Sequence, residues 1–541
     1  MESLGEFDYV VVGAGSAGCV VAARLSESGR HQVAVLEAGG EDNNFWVKMP
    51  LGFGKMYDFP KYCWIYESEP EAGLNGATVR TPRGRMLGGT SSINGMVYLR
   101  GQHEDFDHWR ELGNAGWGYD DVLPYFRKSE DNDRGANHFH GKGGPLGVAS
   151  APHHELVDAF VESGIKAGYP RNTDFNGATQ EGFGFTQMTA RNGQRCSASM
   201  AFLHPARSRS NLSVVTHALA QRIVFKDGKA IGVEFKRGDK VELVTARKEV
   251  ILCGGSFNSP QLLQLSGIGP GGLLQEHDIP VLADLPGVGE NLQDHFTAAM
   301  SFRCTRKVTI NDMMASPLSK ISQGLQYLLF RKGLLSTNGH FGTGYVRTDP
   351  ALTTPDMRFH INLWTRPDIR KRGSADNTAL DRHSSFGVSL YILHPDSRGS
   401  VRIKSTDSAV APEIRFNLFQ SERDLMTVVK GARIARHIVS LPPVSAYVAG
   451  ENAPGPDAQS DEALIEFFRA HGRPNNHAIG TCRMGIDNMA VVDPRLRVKG
   501  VSGLRVIDAS VMPRVVVANT NAATIMIGEK GAAMIVEDAR D

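Results

Sequence analysis

The stretch from Phe7 to Glu37 limits what this chain can fold into more than any other. Tyr9-Val10-Val11-Val12 is a short apolar, β-branched run, the pattern of a buried parallel strand. Gly13, Gly15 and Gly18 follow as G-x-G-x-x-G, Ala17, Val21 and Leu25 recur at helical spacing, and Gln32 to Leu36 reads as a second strand ending in Glu37. The first glycine permits a tight turn, the second lets backbone approach a pyrophosphate, and the third lets the helix pack on the strand. Ser16 and Ala17 open a helix whose N–H groups and positive dipole end suit a diphosphate. Glu37, nineteen residues after Gly18 and followed by Ala38, stands where a carboxylate accepts hydrogen bonds from the hydroxyls of an adenosine ribose. Strand, glycines, helix, strand and acid in register mark a dinucleotide site and leave NAD and FAD both open.

The 541 residues suggest two to four domains or one large composite. A hydrophobic content of 41% with 22% charged residues suits a globular chain with a large core. The net charge of +1 gives no reason to expect nucleic acid or an anionic membrane as partner. Six cysteines show neither C-x-x-C nor metal-ligand spacing, so free thiols in a reducing compartment are expected, and no metal. No signal-peptide pattern precedes the first strand, which is expected about eight residues from Met1, and no run of eighteen apolar residues occurs. A cytoplasmic protein without a transmembrane segment is the expectation, with peripheral membrane association left open.

Further along, Arg83 to Val97 contains Gly88-Gly89-Thr90-Ser91-Ser92-Ile93-Asn94-Gly95, poor material for the interior of a packed element but suited to a loop facing an anion or a heterocycle edge. A second loop of this kind favours a ligand clamped along its length, such as FAD. Residues 43–80 read as irregular and aromatic, 103–129 as largely helical, and 211–252 as β, with Asp227-Gly228 as a hairpin turn. Val250 to Leu263 is another strand entering a glycine turn and helix. From about 300 to 475, alternating segments such as Met357 to Leu363 and Gly387 to Leu393 predict antiparallel strands with one face covered. Arg366 to Gly373 reads as a solvated, mobile loop. Leu318 to Leu335 is an apolar-rich helix with Ile321, Leu325, Leu328 and Leu329 on one face, expected to pack in the core or as a lid rather than against a membrane. Leu504 to Ser510 is a strand ending in an acid, and a helix after Asn519-Thr520 would return the chain to the first sheet.

His477, in the small, polar stretch Asn475 to Gly485, has the side chain best suited to proton abstraction near neutrality. It is one of 18 histidines, and its type alone favours a structural role. Asn519 can hydrogen-bond an alcohol or alkoxide, but no spacing joins it to His477. No serine nucleophile elbow, H-E-x-x-H or Walker loop supports a hydrolase or an NTP-binding protein.

Together, FDYVVVGAGSAG, GRMLGGTSSINGMVYLRG, GGSFNSPQLLQLSGIG, GVGENLQDH, NHAIGTCRMG and GLRVIDASVMPRVVVANTNAATIMIGE resemble the glucose–methanol–choline (GMC) oxidoreductases, in particular the choline-dehydrogenase-like and alcohol dehydrogenase branch. The second and third stretches are specific to that family. The resemblance implies an α/β and α+β protein. A discontinuous Rossmann-like FAD-binding domain (1–155, 208–300 and 476–541) would carry an antiparallel-sheet substrate-binding domain (156–207 and 301–475). It makes His477 the catalytic histidine and Asn519 its partner. It assigns Gly13, Gly15, Ser16, Ala17, Gly18, Glu37 and Ala38 to the ADP segment. Met86, Gly88, Asn94, Gly95, Met96 and Val97 belong to the loop along diphosphate and flavin, Ala220 to the adenine side and Asp508 to the ribityl side, and Thr520 is a further cofactor-binding residue. Some members tether FAD through a histidine where this chain has Ile93, so a non-covalent FAD is expected. The implied reaction is oxidation of a primary alcohol (aliphatic, aromatic or choline-like) to an aldehyde, by proton abstraction at His477 and hydride transfer to flavin N5. Oxygen, a quinone or a cytochrome would then accept the electrons. The rivals are a flavin lyase or photodecarboxylase, an NAD-dependent dehydrogenase, and a non-catalytic flavin-binding protein. No carboxylate can be assigned from spacing to a choline trimethylammonium.

Overall fold

The computed structural model describes residues 2–366 and 380–540. Most of the basic stretch from Arg366 to Gly373 lies outside the described residues. Strand β1 (Glu2–Val12), helix α1 (Ser16–Leu25) and strand β2 (Val33–Leu36) form the expected parallel unit, with Tyr9 to Val12 registered on Val33 to Leu36. β1 begins earlier than its apolar run implies. Its polar first half pairs with Glu242 to Ala246 through backbone hydrogen bonds, which require no apolar side chain. Only Tyr9 to Val12 is fully buried, and that is the part the apolar pattern marks.

The first sheet runs Leu212–Val215, β2, β1, Lys240–Leu252, Lys229–Arg237, Leu219–Lys226. Asp227 and Gly228 both take positive φ (51° and 73°), as the tight hairpin turn expected there requires. The long strand Lys240–Leu252 changes neighbour midway, so that Leu504–Val506 pairs in parallel with Val250 to Leu252. The chain thus returns to its first sheet, and the helix Asn521–Asp538 packs on α1. Arg24 reaches the fully buried Glu529 with a forked ion pair at 2.7 and 2.8 Å, fastening the two helices together.

The second sheet is antiparallel throughout, in the order Val448–Ala453, Phe296–Cys304, Ser385–Ile392, Met357–Asn362, Gly342–Val346, Gly182–Phe185. Its register places Met357, Phe359, Ile361, Val388 and Leu390 on one face, all fully buried. The helix Glu422–Ser440 covers this face: a Cβ on its Gly431 would meet Met357 Cε at 2.7 Å. The opposite face carries Arg358, His360, Asn362, Ser389 and Tyr391. Alternation predicts that this polar face meets water, yet Arg358 and His360 are each only 2% exposed. The sheet roofs a cavity instead.

Helix Pro317–Phe330 departs from expectation in the other direction. Leu318, Ile321, Leu325, Leu328 and Leu329 are 80%, 60%, 53%, 55% and 69% exposed, and Tyr327 is the helix's only buried residue. The helical period is correct, but Ser319, Gln323, Gly324 and Tyr327 are the residues turned toward the protein. Periodicity identifies a face without saying which way it points. The six cysteines are free thiols, and among the described residues no helix is long and apolar enough to cross a membrane.

Candidate active site

A cavity of about 1200 Å³ runs from the C-terminal ends of β1 and β2 to the polar face of the second sheet, larger than the roughly 300–1,000 Å³ of ordinary ligand pockets. Gly13, Gly15, Ser16 and Ala17 line it at the first turn, and Glu37 and Ala38 at the end of β2. Asn94, Gly95, Met96 and Val97 line it from their loop, Ala220 from an adjacent strand, and Asp508 and Thr520 from the terminal segment. Gly18, Met86 and Gly88 stand behind this lining. A Cβ on Gly18 would fall 1.9 Å from Gly13 O, which is the close packing its place in the motif requires. Met86 is fully buried against Val47, Met56, Cys63 and Ile93, and Gly88 N donates to Ala14 O at 2.7 Å, joining the two glycine loops.

The chemistry of this lining fits a long, doubly phosphorylated ligand. Two helices start at the cavity on Gly15 and Thr520 without a side-chain cap, which leaves first-turn N–H groups and positive dipole ends open to an anion, while a third starts on Gly254 with the Asp508 carboxylate on its first N–H. Glu37 meanwhile accepts from Ala14 N (2.9 Å) and Gly39 N (2.8 Å), and burial raises its carboxyl to about 7. Asp508, also raised by burial, accepts from Gly255 N (2.8 Å) and Ser259 Oγ (2.6 Å), fixing the second turn. Ile93 presents a fully buried aliphatic side chain to the same cavity.

At the far end the fold brings together the two residues that spacing could not join. Arg358 sets their arrangement, because a guanidinium can only donate. Its Nη1 donates to Asn519 Oδ1 (2.8 Å), its Nη2 to His360 Nδ1 (3.1 Å) and its Nε to Thr343 Oγ1 (3.0 Å). With Oδ1 committed, Asn519 turns Nδ2 toward His477 and donates to Nε2 at 2.9 Å. His477 Nε2 therefore carries a lone pair, and Nδ1–H donates to His295 Nδ1 at 2.8 Å. Asn475 Nδ2, 3.2 and 3.4 Å from the two ring nitrogens, lies along neither lone pair and leaves this tautomer unchanged. Burial first, then the His295 and Arg358 neighbours, hold His477 well below its ordinary pKa, and burial with Arg358 pushes His295 down to about 3. Both imidazoles are neutral.

The segment Asn291 to His295 holds both halves of this site. Asp294 Oδ1 accepts from the backbone N–H of Asn475 and His477 at 3.0 Å each, while Gln293 Nε2 donates to Pro513 O at 3.0 Å. Tyr345 Oη donates to Val517 O at 3.0 Å, tying the loop before Asn519 to the second sheet. Sequence reasoning gave no site role to His295, Asp294 or Arg358. For the first two the available signal was the stretch GVGENLQDH, which they end, and for Arg358 the polar alternation Arg358, His360, Asn362 on a strand whose other face is wholly apolar.

The chain matches the GMC oxidoreductase family over residues 7–297 and again, for the family's C-terminal part, over residues 395–528. It is 42% identical to the oxygen-dependent choline dehydrogenase of Photobacterium profundum over 538 residues, 98% of this chain and 93% of that protein. Among solved structures, pyridoxine 4-oxidase from Mesorbium loti superposes with a TM-score of 0.88 at 30% identity, covering 98% and 99% of the two chains. An FAD-dependent oxidoreductase from Chaetomium thermophilum superposes with a TM-score of 0.89 at 27% identity, covering 99% and 100%. The chain belongs to the GMC oxidoreductase family.

Proposed function

We propose that this protein is an FAD-dependent oxidoreductase that oxidises an uncharged primary alcohol to an aldehyde. The observation that carries the reading is the Arg358–Asn519–His477 chain of hydrogen bonds. A hydroxyl that takes the place of the 2.9 Å Asn519–His477 bond meets the Nε2 lone pair of a neutral imidazole and the amide N–H released from it, whose oxygen is already held. His477 Nε2 takes the hydroxyl proton, and the Asn519 N–H donates to the oxygen as negative charge develops. Arg358 is buried and has no carboxylate partner among the described residues, so its charge favours that negative oxygen. When bound, the flavin supplies the two-electron acceptor for the substrate's hydride. Ile93 has no nucleophilic atom to offer, which supports a dissociable FAD: acid precipitation should release all the yellow colour into the supernatant.

Choline is the second reading. The family relatives support it, and so do the rings of Phe53, His340, His360, Trp364 and Tyr391, which adjoin one another at 4.8 to 6.4 Å along the cavity wall. Two features weigh against it. The carboxylates in the described lining, Glu37, Glu67 and Asp508, are already engaged with loop amides, Thr78 and Gly255. The Arg358 guanidinium also lies 5.4 Å from the Tyr391 ring centroid, where it repels a cation.

Anaerobic titration of the purified protein with choline, hexanol and benzyl alcohol, followed by readmission of air, tests the reading. Bleaching by a neutral alcohol and its loss in His477→Ala support it. Bleaching by choline alone moves the second reading ahead. A flavin that no alcohol bleaches favours a lyase, photodecarboxylase or inert protein. Recovery of colour in air identifies oxygen as an acceptor, and its absence points to a quinone or cytochrome.

A further inference from the structure

Helix Pro317–Phe330 is built inside out. Leu318, Ile321, Leu325, Leu328 and Leu329 form an outward stripe at helical spacing, continued by Phe330 at 66% exposure. The side turned toward the protein is polar or small apart from the Tyr327 ring, and one of its buried atoms, Gln323 Oε1, has no hydrogen-bond partner. Phe45, 45% exposed, packs edge-on against the Tyr327 ring at 6.4 Å and extends the apolar patch onto a second segment. A contiguous patch of this kind exceeds the scattered apolar residues normal on a protein surface.

Charge identifies what covers it. No Asp or Glu occurs between Asp312 and Asp349, whereas Lys320, Arg331 and Lys332 sit on or just beyond the helix. The ion pairs flanking this region are Arg306–Glu155 and Arg347–Glu181, and none forms between them among the described residues. The chain's net charge of +1 thus hides an apolar stretch whose charged residues are all basic. A second copy docking through the same face would set Lys320, Arg331 and Lys332 near their own equivalents across a two-fold axis. An anionic surface with an apolar interior complements both properties at once.

We infer that this helix docks the protein on the surface of an anionic lipid bilayer, with Leu318, Ile321, Leu325, Leu328, Leu329 and Phe330 entering the acyl boundary and the three basic residues at the headgroups. The same stretch of chain continues through Leu334–Ser336 to Asn338, which donates to Gly95 O at 2.9 Å, and to His340 on the cavity wall. The docking element and the wall of the active site are therefore continuous.

The test is flotation of the flavin-loaded full-length protein with phosphatidylcholine vesicles, with and without phosphatidylglycerol, at low and high salt. Capture by the anionic vesicles, weakened by salt, is expected. Leu325→Glu with Leu329→Glu should lower capture by about tenfold or more, because two side chains that would enter the acyl boundary become charged. Flavin content, thermal stability and alcohol oxidation with a soluble acceptor should stay unchanged. Lys320→Gln with Lys332→Gln should remove the preference for anionic over neutral vesicles. Should the double glutamate variant fold poorly, Leu325→Ala with Leu329→Ala must still lower capture. The inference is overturned if the protein ignores anionic vesicles, if these variants float like the wild type, or if the protein is a dimer in solution that the leucine variants dissociate.

Discussion

Strand Met357–Asn362 and helix Pro317–Phe330 are both amphipathic, and both turn their polar side inward. In the strand this buries Arg358 and His360 at 2% exposure, and their hydrogen-bonding capacity is met by Asn519, Thr343 and His340 O. In the helix it leaves five aliphatic side chains more than half exposed. A buried polar face is stable only when its donors and acceptors are paired, and the strand meets that condition within the chain. An exposed apolar face can be covered only from outside. The first inversion builds a catalytic wall, and the second leaves a surface for another phase.

The largest expected effect lies behind the strand's inward face. His477→Ala should lower kcat/KM by about 10²–10⁴-fold with flavin content unchanged, which anaerobic flavin reduction measures directly. Arg358→Met should follow, lowering kcat by on the order of 10²-fold. Arg358→Lys should recover only part of it, since a single ammonium cannot hold Asn519 and His360 in a fixed fork. If kcat is unchanged in Arg358→Met, the strand's polar face is merely structural and the comparison fails. Core and surface leucines should then separate in thermal melts: Leu390→Ala, under the covering helix, should cost about 2–5 kcal/mol, and Leu325→Ala less than about 0.5 kcal/mol. Equal costs would mean that the helix packs against the body of the protein. The smallest effect is on pH dependence. His477 is held below the ordinary histidine value of about 6.5, so kcat/KM should reach its plateau at a pH below that value and fall only as His477 protonates. Arg358→Met removes one of the lowering charges, so the acidic limb should move upward in pH.

Much of the nucleotide half was legible from local pattern. G-x-G-x-x-G, Glu37 and the second glycine loop act through backbone geometry over a few residues, and such geometry is written in short motifs. Gly18 on α1 and Met86 and Gly88 on the second glycine loop were expected among the cofactor residues, yet they stand behind the cavity lining, a distinction that depends on how the segments pack. His477 and Asn519 were paired by the family resemblance and by no spacing. That Nε2 is the basic atom follows from Arg358, 119 residues before His477, and from His295, 182 residues before it, partners that no local pattern connects.

The sequence by itself determined the βαβ dinucleotide unit, the strand and helix periods, the aliphatic residue at Ile93 and the family, because each depends on residue type at fixed short spacing. Tertiary structure alone decided two further things. It assembled His295, His477, Asn519 and Arg358 from four separate segments, and chose which side of each amphipathic element faces inward. The physical reason is common to both. Periodicity and propensity are properties of neighbours along the chain, whereas burial and tautomer are properties of neighbours in space.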